Sequence, residues 1–444
     1  MSVAINYTYA IDGLTHGANY YRSLTPMNAA AMPAAVTTGI TGNSYQDTSA
    51  ETNKTYYVRF GSYRNSIEKI SDEYVVDTTT GLWYGAVKVV FDISDAARKY
   101  NSLTSIASTS SMGATLSDTV KWLGGVLAPN GKIYCIPANA TDILIIDPVA
   151  GTATRSAMGA SLSGANKWYG GVLAPNGKIY CIPYNATDIL IIDPVAGTAT
   201  RSAMGASLSG ANKWYGGVLA LNGKIYAVPR DSADILIIDP VAGTATRSAM
   251  GTTLSDTAKW IGGVLAPNGK IYGIPLSSSN ILIIDPVAGT ATRSAMGATL
   301  SDTAKWFGGV LAPNGKIYGI PYNSTDFLII DPVVDTATRS AMSAPLSDSG
   351  KWHGGVLAPD GKIYCIPANA TDILVINTNT GVATRSTLGA TLSGTSKWVG
   401  GVMALNGGIY GIPHNSTYIL KIEQDLSVPS LDHKVALSPH LNKL

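Results

Sequence analysis

Between residues 106 and 426 the apolar residues come in short runs, and glycine, proline, asparagine or aspartate punctuates every gap. The stretch 122–167, WLGGVLAPNGKIYCIPANATDILIIDPVAGTATRSAMGASLSGANK, shows the pattern once and resolves into four strand-sized pieces. KWLGGVLA, rich in glycine and valine, runs to Pro129-Asn130-Gly131. Asn-Gly between apolar runs predicts a hairpin with a two-residue type I′ turn, because both central residues then need positive φ. KIYCIP is the second strand and ANATD a polar loop. ILIID is a continuous apolar run, as expected of a strand buried on both faces. Asp147-Pro148-Val149-Ala150-Gly151 then turns the chain into TATRSAM, the fourth strand. Nothing in the unit recurs at helical spacing, which excludes a helical solenoid.

Trp122 recurs at Trp168, Trp214, Trp260, Trp306, Trp352 and Trp398, always 46 residues on, without insertion or deletion. A period in the forties, filled by short β runs and turns, predicts an all-β fold, a seven-bladed β-propeller with four-stranded blades. After Trp398 only three strand-sized pieces follow, the last at Tyr418-Ile419-Leu420-Lys421-Ile422. Ahead of Trp122, residues 106–112 align with the fourth strand, Met112 standing 46 residues before Met158. The N-terminal strand is therefore expected to complete the last blade and close the ring, which leaves only short, protected edges.

Residues 1–80 read as a separate module of tyrosine-rich β runs, Asn19-Tyr20-Tyr21-Arg22 and Thr55-Tyr56-Tyr57-Val58-Arg59-Phe60, consistent with a small antiparallel sandwich. The expected division is a sandwich at 1–80, a linker at 81–105 with a short helix from Asp92 to Lys99, the propeller at 106–426 and a tail at 427–444. A length of 444 residues at 45% hydrophobic content allows more than one core. Charged residues make up 14% and balance to +2, so no nucleic-acid partner is implied. The opening MSVAINYTYAIDGL lacks a basic segment followed by an apolar core, so no signal peptide is expected. No run approaches the roughly 18 apolar residues of a membrane helix, and membrane insertion is not expected. Cys135, Cys181 and Cys365 share one place in their units with Ala227, Gly273, Gly319 and Gly411, so that place demands smallness rather than sulfur.

The segment TYYVRFGSYRNSIEKISDEYVVDT, led in by Tyr45-Gln46-Asp47, resembles the late tyrosine strand of a fibronectin type III domain over about 60 residues. Followed by the repeat WxGGVLAPNGKIY, it is similar to proteins encoded by bacteriophages and prophages, tail components among them. That resemblance implies a virion location after synthesis in the bacterial cytoplasm. It also implies docking to other virion subunits through residues 1–105 or the C-terminal tail. It carries no catalytic residue onto this chain.

The residues themselves offer little chemistry. Asp147, Asp193, Asp239, Asp285 and Asp331 open Asp-Pro turns, where a carboxylate accepts backbone N–H groups rather than holding a metal. Asn139, Asn185, Asn323, Asn369 and Asn415 open glycosylation sequons, but Asx turns explain them without secretion. Only His353 and His414 of the five histidines lie in the array, and no ligand set forms around them. Neither a nucleophile elbow nor a phosphate loop is present. No metal, no cofactor and no enzymatic activity are expected.

Variation inside the array is more informative. Units 122–167 and 168–213 differ at two positions only, Leu123 against Tyr169 and Ala138 against Tyr184. Across the units the first position reads Leu123, Tyr169, Tyr215, Ile261, Phe307, His353, Val399. The second reads Ala138, Tyr184, Arg230, Leu276, Tyr322, Ala368, His414. A type I′ register pairs 129 with 132 and, outward, 123 with 138, at the hairpin end away from the turn. One face of the ring is thus expected to be diversified while the face of the tight turns stays constant. Tyr169, Tyr184, Tyr215, Arg230, Phe307, Tyr322, His353 and His414 are the candidate ligand contacts, with Tyr169–Tyr184 and Phe307–Tyr322 as aromatic anchors. Aromatic faces suit sugar rings. The expected function is recognition of a bacterial surface ligand such as a polysaccharide. Drift after recent duplication is the competing account of the variation. A structural virion or scaffold protein is the alternative function, and a hydrolase the weaker one.

Overall fold

The computed structural model describes residues 2–8, 17–28, 32–40, 44–51, 54–64, 67–70, 74–77, 83–84, 105–341 and 346–424. Every regular element among them is a strand. The chain divides into two compact units, the first within residues 1–102 and the second within 103–431. The expected helix from Asp92 to Lys99 and the tail 427–444 lie outside the described residues.

In the first unit β1 (Ser2–Thr8) awaits β4 (Ser44–Glu51) as its antiparallel partner, after β2 (Gly17–Ser23) and β3 (Thr37–Ile40). The chain continues through β5 (Thr55–Arg64), β6 (Ile67–Ile70), β7 (Tyr74–Asp77) and β8 (Trp83–Tyr84). A second sheet runs β3-β2-β5-β7-β8, with β6 also paired to β5. The two tyrosine-rich runs are its central pair, Tyr20 opposite Phe60 and Arg22 opposite Val58. Tyr20 and Val58 are fully buried there. Trp83 and Tyr84, expected in the linker, add an edge strand to this sheet.

The second unit opens with β9 (Ser105–Ser110). The first blade follows as β10 (Trp122–Leu127), β11 (Ile133–Pro137), β12 (Ile143–Asp147) and β13 (Thr152–Ser156), paired antiparallel in that order. Strands β14 to β33 repeat this over 168–202, 214–248, 260–294, 306–340 and 352–386. The last blade has β34 (Trp398–Met403), β35 (Ile409–Pro413) and β36 (Ile419–Gln424), and β9 is its fourth strand. Ile422 faces Ala107 and Gln424 faces Ser105. The ring is closed as expected, β10 packing on β34 as well as on β14.

The core lies between blades. Val126, Tyr134, Ile136 and Ile143 of the first blade enclose Trp168, Ile179, Cys181 and Leu190 of the second. Each of the seven blade tryptophans is buried, and Trp122 spends its indole N–H on the Asp142 carbonyl at 2.9 Å. All three cysteines are free and fully buried. A Cβ at Gly273, in the same place, would lie 3.1 Å from Leu282 Cβ, so the place does select for small side chains.

The hairpin turn departs from expectation. Ala128, not Pro129, faces Lys132, and the loop has three residues: Gly131 N–H reaches Ala128 O and Ala128 N–H reaches Lys132 O, each at 2.9 Å. Only Gly131 takes positive φ, 77°, which is a type I turn with glycine in the left-handed position. Asn130 is not needed for φ. Its oxygen accepts Lys132 N–H at 3.1 Å, and its amide donates to Tyr134 Oη at 3.0 Å and to Pro194 O of the next blade at 3.3 Å. A bulge at Gly124, φ 76°, then shifts the register again, so Trp122 faces Pro137 and residue 123 has no direct cross-strand partner. The 123–138 pairing is therefore replaced by a looser approach of the same side chains.

Bonds such as Asn130 to Pro194 put the hairpin turns and Asp-Pro turns on one face. The carboxylates behave as expected: Asp147 Oδ1 accepts Val149 and Ala150 N–H at 3.1 and 2.9 Å. The last blade has no Asp-Pro turn. In its place the chain enters at Ser105 and leaves at Gln424, both on that turn face.

Candidate ligand-binding site on the ring axis

The diversified positions converge on the axis, at the end away from the tight turns. Backbone geometry brings them there. The seven bulge glycines touch in a ring, and a Cβ built on Gly170 would lie 3.1 Å from Gly216 Cα. All seven hold positive φ, and at Gly170, Gly216 and Gly400 a Cβ would also crowd the next strand, so glycine is kept there and the residue just before each one lies beside the axis. Leu123, Ala138, Tyr169, Tyr184, Tyr215, Ile261, Leu276 and Val399 form one apolar cluster with Phe307 packed against it. Residues from separate blades meet directly: Tyr215 and Phe307, two blades apart, are edge to face with centroids 5.2 Å apart.

Tyr169 stacks on Tyr184 at 3.9 Å, and Phe307 stacks on His353 at 4.1 Å. Tyr322 leans on both Phe307 (5.6 Å) and His353 (4.8 Å). The partners of both expected aromatic pairs, Tyr169–Tyr184 and Phe307–Tyr322, are thus in contact. The eight candidates separate by depth, however. Tyr169, Tyr184 and Tyr215 are only 9%, 8% and 9% exposed, and form a floor. Arg230, Phe307, Tyr322, His353 and His414 are half-buried as residues, although both ring nitrogens of His353 are buried. Arg230, expected beside Tyr215, lies over Tyr184 at 5.8 Å and pairs with Asp231 at 2.8 Å. The candidate positions gather on the axis, an arrangement termed the axial basin, rather than along an outer rim. A sequence cannot show this, because depth depends on the bulge that turns residue 123 inward.

Burial sets the electrostatics. It raises the phenols of Tyr169 and Tyr215 well above their usual range, and both stay neutral. Burial, with His414 as a smaller cause, lowers His353 to about 3. Neither ring nitrogen of His353, nor Nδ1 of His414, has a hydrogen-bond partner among the described residues. The axial cluster is therefore a largely neutral aromatic surface beside one ion pair, Arg230 with Asp231.

Two features of its wall escape a search for variation because they are constant. Seven lysines, Lys121 to Lys397, precede the tryptophans and are all buried. Lys167 Nζ donates to Ala138 O, Ala140 O and Gly164 O at 2.7, 3.0 and 2.9 Å, which uses all three protons. Burial lowers this ammonium to about 8. The lysine clamps one blade to the loop of the blade before it. The sequon asparagines do similar work: Asn139 Oδ1 accepts Asn166 N–H of the next blade at 2.6 Å, and Asn415 closes the ring on Val120 at 2.8 Å. These inter-blade bonds replace the Asx turns expected from sequence. The bonded residues, Asn166 and Val120, hold positive φ.

No family model matches the chain, and no curated protein matches it. Solved structures do. A streptogramin B lyase superposes with a TM-score of 0.57 at 13% identity, covering 72% of this chain and 98% of that one. A catalytically inactive virginiamycin B lyase from Staphylococcus aureus with quinupristin gives 0.56 at 14%, covering 72% and 99%. The extracellular domain of a protein described as a one-component system from Bacteroides thetaiotaomicron gives 0.52 at 10%, covering 84% of this chain and 51% of that one. At such identities the likeness establishes the propeller fold and nothing about chemistry.

Proposed function

We propose that this chain is a non-enzymatic recognition module, a phage or prophage tail protein that binds a bacterial surface ligand such as a polysaccharide in the axial basin. The observation that carries this is the confinement of change. Two near-identical blades differ only at the two positions that meet on the axis, while turns, clamps and core stay the same. Loops and surfaces that vary on a fixed scaffold are where binding is usually placed. The first and last described strand residues of the ring, Ser105 and Gln424, lie opposite each other on the turn face, away from the diversified positions. The type III-like N-terminal segment and the C-terminal tail would serve attachment to other virion subunits.

The test is binding of the full chain to host cells and to a glycan array. Phe307→Leu with Tyr322→Ala should reduce binding tenfold or more while melting shifts by only a few degrees. Full binding by that variant would return the variation to drift. A second reading, a structural protein whose ring docks other subunits, is favoured by the burial of Tyr169, Tyr184 and Tyr215, which plug the axis whether or not a ligand exists. Under that reading the unmodified chain binds neither cells nor glycans.

A further inference from the structure

Arg230 is the one charged side chain among the fourteen diversified positions. The residue after it is also an exception: Asp231 stands where the other blades have Asn139, Asn185, Ser277, Asn323, Asn369 and Asn415. The scaffold does not require that carboxylate. Asp231 Oδ1 accepts Ala258 N–H at 2.6 Å, the same inter-blade bond that asparagine or serine makes elsewhere. What the carboxylate adds is its second oxygen, which holds Arg230 Nη1 at 2.8 Å. An asparagine there would offer no second acceptor of that strength. Two departures in a single blade thus build one fixed guanidinium.

The anchoring leaves a particular edge free. Nη1 is engaged, while Nε and Nη2 make no hydrogen bond among the described residues, and the side chain keeps 23% exposure. Nε and Nη2 form a parallel pair of donors, the geometry that matches a carboxylate in two-point contact. The guanidinium lies over the Tyr184 ring at 5.8 Å, with Tyr215 beyond Tyr184 at 6.1 Å between centroids. A fixed donor fork at the edge of an aromatic cluster, whose half-buried members are Phe307 and Tyr322, suits a ring that carries both an apolar face and an anion. Sugar hydroxyls alone do not demand a guanidinium, since neutral amides serve them as well.

We infer that the axial basin takes an acidic sugar, a uronic-acid-type residue whose carboxylate is held by Arg230 and whose ring packs on the aromatic side chains. This rests on the recognition reading above. The test uses the full chain with oligogalacturonates and glucuronate-containing oligosaccharides, each beside its carboxyl-reduced counterpart and a panel of neutral glycans. The acidic form of at least one should bind tenfold or more tighter than its reduced form, and added salt should narrow the gap. Arg230→Gln should remove that preference, and Arg230→Lys, which keeps the charge but not the fork, should restore only part of it. Equal binding of acidic and reduced forms, or a preference that survives Arg230→Gln, overturns the inference. So does full preference in Arg230→Lys, the decisive variant if Arg230→Gln lowers the melting temperature. Binding confined to neutral glycans overturns this inference and leaves the recognition reading standing. No glycan or cell binding at all overturns both.

Discussion

Gly131 holds φ at 77°, where a β-branched side chain crowds its own backbone. Gly131→Val should lower stability by about 1 kcal/mol or more in denaturant unfolding, and a neutral result would mean the turn adopts another geometry. His353 makes a sharper demand. Its folded value of about 3 lies below the ordinary 6.5, so the unfolded chain binds the extra proton first. The stability this contributes is present above pH 6.5 and drains as pH falls toward 3, at up to about 1.4 kcal/mol per pH unit. His353→Phe should flatten the acid limb of a melting-temperature profile; an unchanged limb would show that His353 is not buried as a neutral ring. Sequence alone located this histidine as variable but gave no sign of its depth. Asp360 teaches the converse. It replaces the turn asparagine only in the blade whose following neighbour has no turn between third and fourth strands, whereas Asn314 still finds Thr378 O in the Asn-Thr turn of the sixth blade. Asp360 accepts Tyr364 O–H at 2.9 Å instead. That departure is visible in the repeat, but its reason is visible only once the ring is closed.

At the scale of strands and turns, period and polarity were enough. The blade strands fall within a residue or two of the expected pieces because every piece ends at a glycine, proline or acidic turn signal. Register was less legible. The three-residue turn forms with Leu221 and Leu405 as well as with Pro129, and the bulge at Gly124 moves the pairing again, so two local choices displaced a register drawn from Asn-Gly alone. The clamps between blades were hidden for another reason: a lysine before a tryptophan looks like any solvated charge. Lys167→Met should leave the Ala140 and Gly164 carbonyls without the ammonium, while Ala138 O keeps the Lys167 N–H, and cost about 2 kcal/mol, with the blade strands retained by circular dichroism. A substitution without effect on melting would mark the buried ammonium as dispensable.

The whole ring depends on one long-range pairing, β9 against β36. Removing residues 1–80 should leave the melting of the ring nearly unchanged, whereas removing 1–115 exposes the edge of β36 and should lower it sharply. Equal melting of the two truncations would show that closure does not rest on β9. Seven-fold order and the closing strand were legible because spacing never changes along the array. Convergence of the variable side chains on the axis was not, since it needs the glycine ring that brings seven inner strands into contact. The place where the two chain segments meet has a consequence for descent. Because entry and exit share the turn face, the seven blades present the basin on equal terms, and each contributes two side chains to it. Recombination between near-identical repeats can therefore exchange one blade's pair for another's without disturbing closure. The axial surface is a set of interchangeable cassettes, and under the proposed recognition role a lineage can change what it grips faster than how it folds.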